Sequence, residues 1–145
     1  VVLAGETIIA GKVPGERVGT NVVTASSSAV VSETVVQTVV APVVQGRIYK
    51  VTWDFRINST VAGDDTQPRL REDNISGAEI QTVALDLPVV ARAPRVHFEA
   101  EYEADATEDK TFVGTLNRVS GSGNVTLLAA TNQPALLYVD YIRDA

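Results

Sequence analysis

The residues best suited to chemistry are few: one histidine, His97, and three glutamates at every second position after it, Glu99, Glu101 and Glu103. A strand repeats every two residues, so these carboxylates would stand on one face about 7 Å apart, a spacing loosely compatible with the acid and base of a glycosidase. Any water-facing strand carries the same residue types, and nothing else in the chain builds a sugar cleft around them. His97 has no nucleophile elbow of the Gly-x-Ser-x-Gly kind to serve, and the chain has no cysteine; a triad needs its base held against Ser, Thr or Cys. Asp64-Asp65 and the group Asp105, Glu108 and Asp109 could attract a calcium ion, but neither matches an ordered ligand loop. The run Ser120-Gly121-Ser122-Gly123 opens no helix, which removes a phosphate loop. The expectation is a protein that is not an enzyme, with no cofactor and no dedicated metal.

Strands must position these groups. From Tyr49 to Ile57 the odd positions read Tyr, Val, Trp, Phe, Ile and the even ones Lys, Thr, Asp, Arg. An unbroken period of two means one face on a core and the other in water, as in an antiparallel sheet. This strand holds the only tryptophan, and the parity of Trp53 with Val51, Phe55 and Ile57 assigns it to the core rather than to an exposed sugar platform. Pro94 to Ala104 repeats the pattern, with Val96, Phe98, Ala100 and Tyr102 inward and Arg95, His97, Glu99, Glu101 and Glu103 outward. Two aromatic faces of this kind can cover each other.

The remaining chain alternates short apolar runs with turn residues. Ser28 to Val44 is a Val-rich strand with a break expected near Pro42, or an inter-subunit β element. Ser59 to Asp65 is a turn; Thr66 to Asp73 is a strand with Leu70 inward and Arg69 and Arg71 outward; Ala78 to Leu87 is a strand ended by Pro88. After a turn at Asp105 to Lys110, strands are expected over Thr111 to Val119, Val125 to Ala130 and Ala135 to Arg143, the first two joined by a hairpin at Ser120 to Asn124. That makes about eight strands and no helical period, the pattern of an all-β, jelly-roll-like antiparallel β-sandwich.

Composition narrows the partners. A chain of 145 residues is one ordinary domain. The net charge of −6, with no cluster of Lys and Arg, argues against nucleic acid. Absence of cysteine excludes disulfides and Cys-ligated zinc. Apolar runs of only a few residues exclude a helical membrane span, and the N-terminal residues lack a signal-peptide pattern, so a soluble protein made in the cytoplasm is expected. Without secretion, the acceptor patterns at Asn58, Asn74 and Asn124 are read as chance.

Residues 1–27 differ from the rest. Apolar pairs such as Ile8-Ile9 and Val22-Val23 are separated by Gly, Thr, Asn and Ser, with no sustained period. Two readings stand side by side: a disordered leader or an edge strand with loops, and an extended arm that orders by laying its apolar residues on a partner. The domain organisation adopted is an arm over 1–27 and a β-sandwich over 28–145.

Several segments, taken in order, resemble a known module: Gly46-Arg47-Ile48-Tyr49-Lys50-Val51, Ser59-Thr60-Val61-Ala62-Gly63-Asp64, Arg69-Leu70-Arg71-Glu72, Glu99-Ala100-Glu101-Tyr102, Leu116-Asn117-Arg118-Val119-Ser120-Gly121-Ser122-Gly123 and Tyr138-Val139-Asp140-Tyr141-Ile142. Over residues 30–145 they are similar to a β-sandwich module of virion proteins in tailed phages that infect actinobacteria. The resemblance implies a structural role in the virion, either as a capsid decoration protein or head fibre, or as a minor tail protein or fibre touching the host surface or its glycans. A short chain that is nearly all module favours the capsid. The expected protein sits on the outer face of the head as a homotrimer, the trimer being implied by the family. Its expected partner is the major capsid protein, gripped by Leu3, Ile8, Ile9 and Val13 of the arm, while Val31, Val35, Val36, Val39 and Val40 join subunits.

Overall fold

The structure, a computed structural model, describes residues 13–87 and 93–145. In chain order its strands are β1 Arg17–Val23, β2 Thr34–Val43, β3 Arg47–Ser59, β4 Asp64–Thr66, β5 Arg69–Glu72, β6 Glu79–Thr82, β7 Leu85–Leu87, β8 Arg95–Glu103, β9 Glu108–Leu116, β10 Arg118–Ser120, β11 Val125–Leu128 and β12 Ala135–Asp144. No helix occurs among the described residues. All pairings between strands are antiparallel, and they form a jelly-roll-like β-sandwich.

The Tyr49–Ile57 alternation becomes β3, the longest strand and the centre of one sheet. Along one edge β3 pairs with β12 and then with β11, and along the other with β8. Beyond β12 lies β1. The opposing sheet has the order β2-β9-β5-β6, and a small third sheet has the order β10-β4-β7. Tyr49, Val51, Trp53, Phe55 and Ile57 are all fully buried between the two main sheets, as their parity requires. Phe112 and Leu116 of β9 and Leu70 of β5 meet them from the other side.

Four expectations are corrected. First, β3 and β8 do not cover each other across the core; they are hydrogen-bonded neighbours in one sheet, with Trp53 opposite Phe98 and Tyr49 opposite Tyr102. Second, of the two readings of residues 1–27 the edge strand holds for Arg17–Val23, which pairs with β12, so the sheet begins inside the segment adopted as an arm. Gly19 makes this possible: a Cβ there would lie 2.7 Å from Ala41 Cβ and 2.8 Å from the Val40 carbonyl, so β1 rests directly on β2. Third, β2 runs through Pro42 to Val43, since an edge strand can leave a missing N–H on its unpaired side. Fourth, three expected strands are each split in two, at Gln67-Pro68, at Val83-Ala84 and at Asn117. At each break the chain leaves one of the four-stranded and three-stranded sheets for the other. Pro88, the expected end of one strand, lies outside the described residues.

Candidate functional site

The polar side chains that come together do so in self-contained clusters. On the outer face of the β2-β9-β5-β6 sheet, Arg69 and Arg71 project from β5 on either side of the buried Leu70. Both reach Glu33, just ahead of β2: Arg69 donates at 2.8 Å and Arg71 at 2.6 and 3.2 Å, while the Thr115 hydroxyl of β9 donates at 2.8 Å. Glu79 of β6 lies 3.1 Å from Arg69 on the far side. The Arg71 hydrogen bond, aided by Thr115 and Arg69, outweighs burial and holds the Glu33 carboxyl below the usual carboxylate range. Two cations and two anions thus cancel within the face.

The second cluster is built round Asp64, the first residue of β4. Its buried carboxylate accepts hydrogen bonds from the Ser59 hydroxyl, from the Ser122 amide at 3.0 Å and from the Gly123 amide at 2.9 Å. The Ser59 bond is the largest influence, and with the two amides and nearby Arg118 it keeps the acid below its ordinary value against the opposing effect of burial. The Gly-rich run therefore does cradle an anion, but the anion is the chain's own. A Cβ at Gly121 would fall 1.9 Å from Asp64 Oδ1, and one at Gly123 would fall 2.3 Å from Oδ2. Gly121 also has φ of 96°, in the left-handed region. Neighbouring Asp65 points to the opposite face and accepts from Ser120 Oγ at 2.5 Å, so the acidic pair cannot converge on one cation.

The third cluster centres on Lys110, buried at the start of β9. Burial disfavours its charge, but hydrogen bonds to Glu72 at 2.9 Å and Asp73 at 3.1 Å more than offset this and raise the ammonium above its ordinary value. Asp73 stands in the left-handed region with φ of 61°, which turns its carboxylate toward Lys110.

The residues best suited to catalysis lie on the outer face of the β3 sheet, where His97, Glu99 and Glu101 are matched to neighbours. His97 is 3.4 Å from Asp54 and 3.5 Å from Glu99; Lys50 is 3.3 Å from Glu99; Arg143 is 3.2 Å from Glu101. His97 faces Asp54 directly across β8 and β3, Lys50 reaches Glu99 diagonally, and Arg143 reaches Glu101 over β3, as a solvated sheet face arranges its charges. Among the described residues no group of three or more His, Asp or Glu is placed to hold a metal. Trp53 is buried, as its parity requires, and the Tyr138 ring carries the Arg17 guanidinium 3.7 Å from its centroid, so neither offers a bare platform for a sugar.

Of the expected contact residues, Leu3, Ile8 and Ile9 lie outside the described residues. Val13 is 60% exposed just before β1. Val31, Val35 and Val40 are exposed, Val36 is partly buried against the core, and Val39 is 3% exposed and belongs to the core. Val39 is therefore corrected from interface to core. Adjacent strand residues point to opposite faces, so Val39 and Val40 cannot both meet a partner: after a register shift between Val35 and Gln37, residues Gln37, Val39, Ala41 and Val43 face inward while Thr38, Val40 and Pro42 face outward.

No protein-family model matches the chain, and no curated protein matches it in sequence. Solved structures of similar outline include the Eiger TNF from S. frugiperda, at 11% identity over 92% of this chain and 96% of that one, with a TM-score of 0.49. The CBM22-1 xylan-binding domain from Paenibacillus barcinonensis Xyn10C is similar at 10% identity over 91% and 98% of the two chains, with a TM-score of 0.40. The infectious bursal disease virus VP2 subviral particle is similar at 11% identity and a TM-score of 0.44; this chain aligns over 87% of its own length and 37% of that of VP2. The sandwich assignment rests on the strand pairings of the chain itself.

Proposed function

We propose that the chain is a structural virion protein that decorates the outer face of a phage capsid, assembled as a homotrimer and adhering to the major capsid protein. The observation that carries an adhesive role is the exposed apolar set Val31, Val35 and Val40 beside the Glu33 network. Burying a face costs less when its charges are already paired and hydrogen-bonded within it than when a charge is left unpaired. A molecule with a net charge of −6 repels its own copies, so a face whose two arginines and two glutamates cancel is where like chains can meet. The ordered series of module-like segments supplies the virion context. Contacts of modest strength suffice when many symmetric copies bind one lattice.

The test is add-back of purified protein to phage heads made without it, followed by cryo-electron microscopy. Regular density at lattice positions is the expected result. A bare lattice, with the protein on tails or on host cell wall, overturns the capsid assignment in favour of the fibre one. No exposed aromatic cluster favours the glycan version of that alternative among the described residues.

A further inference from the structure

Among the described residues β8 pairs with β3 alone, over nine residues and without a register shift, so its other edge is open. The remaining sheet edges are short or blunted. β6 and β11 have four residues and β7 and β10 have three, β2 carries Pro42 and a register shift, and β1 rests on β2 through Gly19. Brief strands, prolines and bulges keep sheets from joining edge to edge, and β8 has none of these devices. Its free backbone groups can be assigned. At the two ends of the β3–β8 ladder, Ile57 N–H donates to the Pro94 carbonyl at 3.2 Å and Ala104 N–H to the Arg47 carbonyl at 2.9 Å. Successive strand residues turn their N–H and C=O to opposite sides, so the even-numbered residues bond β3 while Arg95, His97, Glu99 and Glu101 turn theirs to the open edge.

We propose that this edge pairs with β8 of a second copy of the chain, antiparallel about a two-fold axis at Phe98. That register sets Arg95 opposite the partner's Glu101 and His97 opposite the partner's Glu99, each pair occurring twice by symmetry. A two-fold at Glu99 would oppose that carboxylate to its own copy, and one at His97 would oppose the imidazole to its own copy. Phe98 favours the same register. It belongs to the inward face yet is only half-buried, with its ring edge-on to Trp53 and Phe55 at centroid distances of 5.6 and 6.2 Å. On the axis it forms a non-hydrogen-bonded pair with itself, the arrangement in which opposite side chains come closest, and the two rings cover each other. Arg95 keeps Asp54, Glu99 keeps Lys50 and Glu101 keeps Arg143, so the second copy extends exposed ion pairs that already exist. β8 borders its sheet on the side away from β1 and β2, so this contact stands or falls apart from the valine face.

The test is amide hydrogen exchange of the ¹⁵N-labelled full chain between about 10 μM and 1 mM, a range that spans the dissociation constants of weak contacts. Protection of the Arg95, His97, Glu99 and Glu101 amides is expected to rise about tenfold across it, in wild type and equally in the Val35→Ser/Val40→Ser variant. Glu99→Pro is expected to abolish the rise, because its missing N–H lies on the open side and takes no bond from β3. For the register, Phe98→Cys is expected to give a disulfide-linked dimer on mild oxidation, and Glu101→Cys, set opposite Arg95, to stay largely unlinked. Edge amides that exchange equally fast at both concentrations overturn the proposal and leave the edge to a strand of a different protein. Protection that survives Glu99→Pro, or equal cross-linking of the two cysteine variants, also overturns it. Should Glu99→Pro fail to fold, the wild-type concentration dependence and the cysteine variants still decide the question.

Discussion

Trp53 Nε1 donates a 2.9 Å hydrogen bond to Gln37 Oε1 across the two main sheets, at the centre of the core. The Gln37 amide nitrogen in turn donates to the Asn21 carbonyl at 3.1 Å, the Asn21 side-chain oxygen at 3.0 Å and the Ala135 carbonyl at 3.1 Å. One buried amide therefore ties together β1, β2, β3 and β12. Gln37→Leu keeps the volume but leaves the indole N–H and the Ala135 carbonyl without this partner. A buried unsatisfied group costs about 1–3 kcal/mol, so a loss of about 3 kcal/mol is expected, measured by urea denaturation followed through Trp53 fluorescence. A loss below 0.5 kcal/mol would show that the bond does not organise the core.

Gly114 lies under the same indole, and a Cβ there would sit 2.6 Å from Trp53 Cζ2. Neither the backbone of β9 nor a ring packed against Phe55 and Phe98 can yield by that much. Gly114→Ala is expected to destabilise by at least about 2 kcal/mol through overpacking. Gly46→Ala makes the comparison: it meets open space, and its penalty comes only from a φ of 75°, worth about 1 kcal/mol. Thermal melts of the two variants should rank in that order.

The Tyr49–Ile57 parity was legible because burial on one face of a strand writes directly into every second residue. Leu70 between Arg69 and Arg71 was legible for the same reason, although nothing in those three residues reveals that Glu33 joins the arginines. Asp64 could not be read at all: its amide donors lie 58 and 59 positions away, and only the glycines at 121 and 123 hinted that something comes close. Val39 was misread because both members of its Val-Val pair were assigned to the contact face, whereas neighbours on a strand point to opposite sides, and a pair of identical residues conceals which one is inward. The breaks at Gln67-Pro68 and Asn117 are changes of sheet, which depend on where the other strands lie.

Asp64 and Glu33 predict how the fold responds to acid. Both carboxyls are depressed in the folded state, so each contributes stability that is fully present above the unfolded carboxylate range near pH 4 and is lost as pH falls through the depressed values. Denaturation midpoints are expected to be flat from pH 7 to about pH 5 and to fall below about pH 4. In Asp64→Asn the fall should be shallower and the neutral-pH midpoint lower, because the amide presents only one acceptor to the Ser59, Ser122 and Gly123 donors. A variant with the wild-type acid profile would remove Asp64 from the explanation.

Lys110 acts in the opposite direction. Its folded value is raised, so its contribution is complete below the unfolded lysine range near pH 10.4 and declines only as pH rises through the folded value. Lys110→Met should therefore lower stability at pH 7 by leaving Glu72 and Asp73 without their cation, and should flatten the alkaline limb of the stability profile. Equal alkaline limbs in the two proteins would count against the paired, raised ammonium.

Val39 and Val40 separate the core from the proposed contact face in one experiment. The side chains point to opposite faces of β2, one 3% exposed in the core and the other 54% exposed. Val39→Ser should cost about 2–3 kcal/mol, since it removes buried apolar volume and buries a hydroxyl. Val40→Ser, combined with Val35→Ser, removes no buried volume from the subunit and should cost little beyond the stability that assembly itself supplies. The same pair should shift the molar mass measured by light scattering from that of the assembled protein toward that of a monomer. If wild type is already a monomer across the micromolar range, or if the double variant assembles as wild type does, the outer face of β2 does not join subunits. The apolar residues there would then have to meet the capsid protein instead, and add-back of the double variant to heads would fail where wild type succeeds.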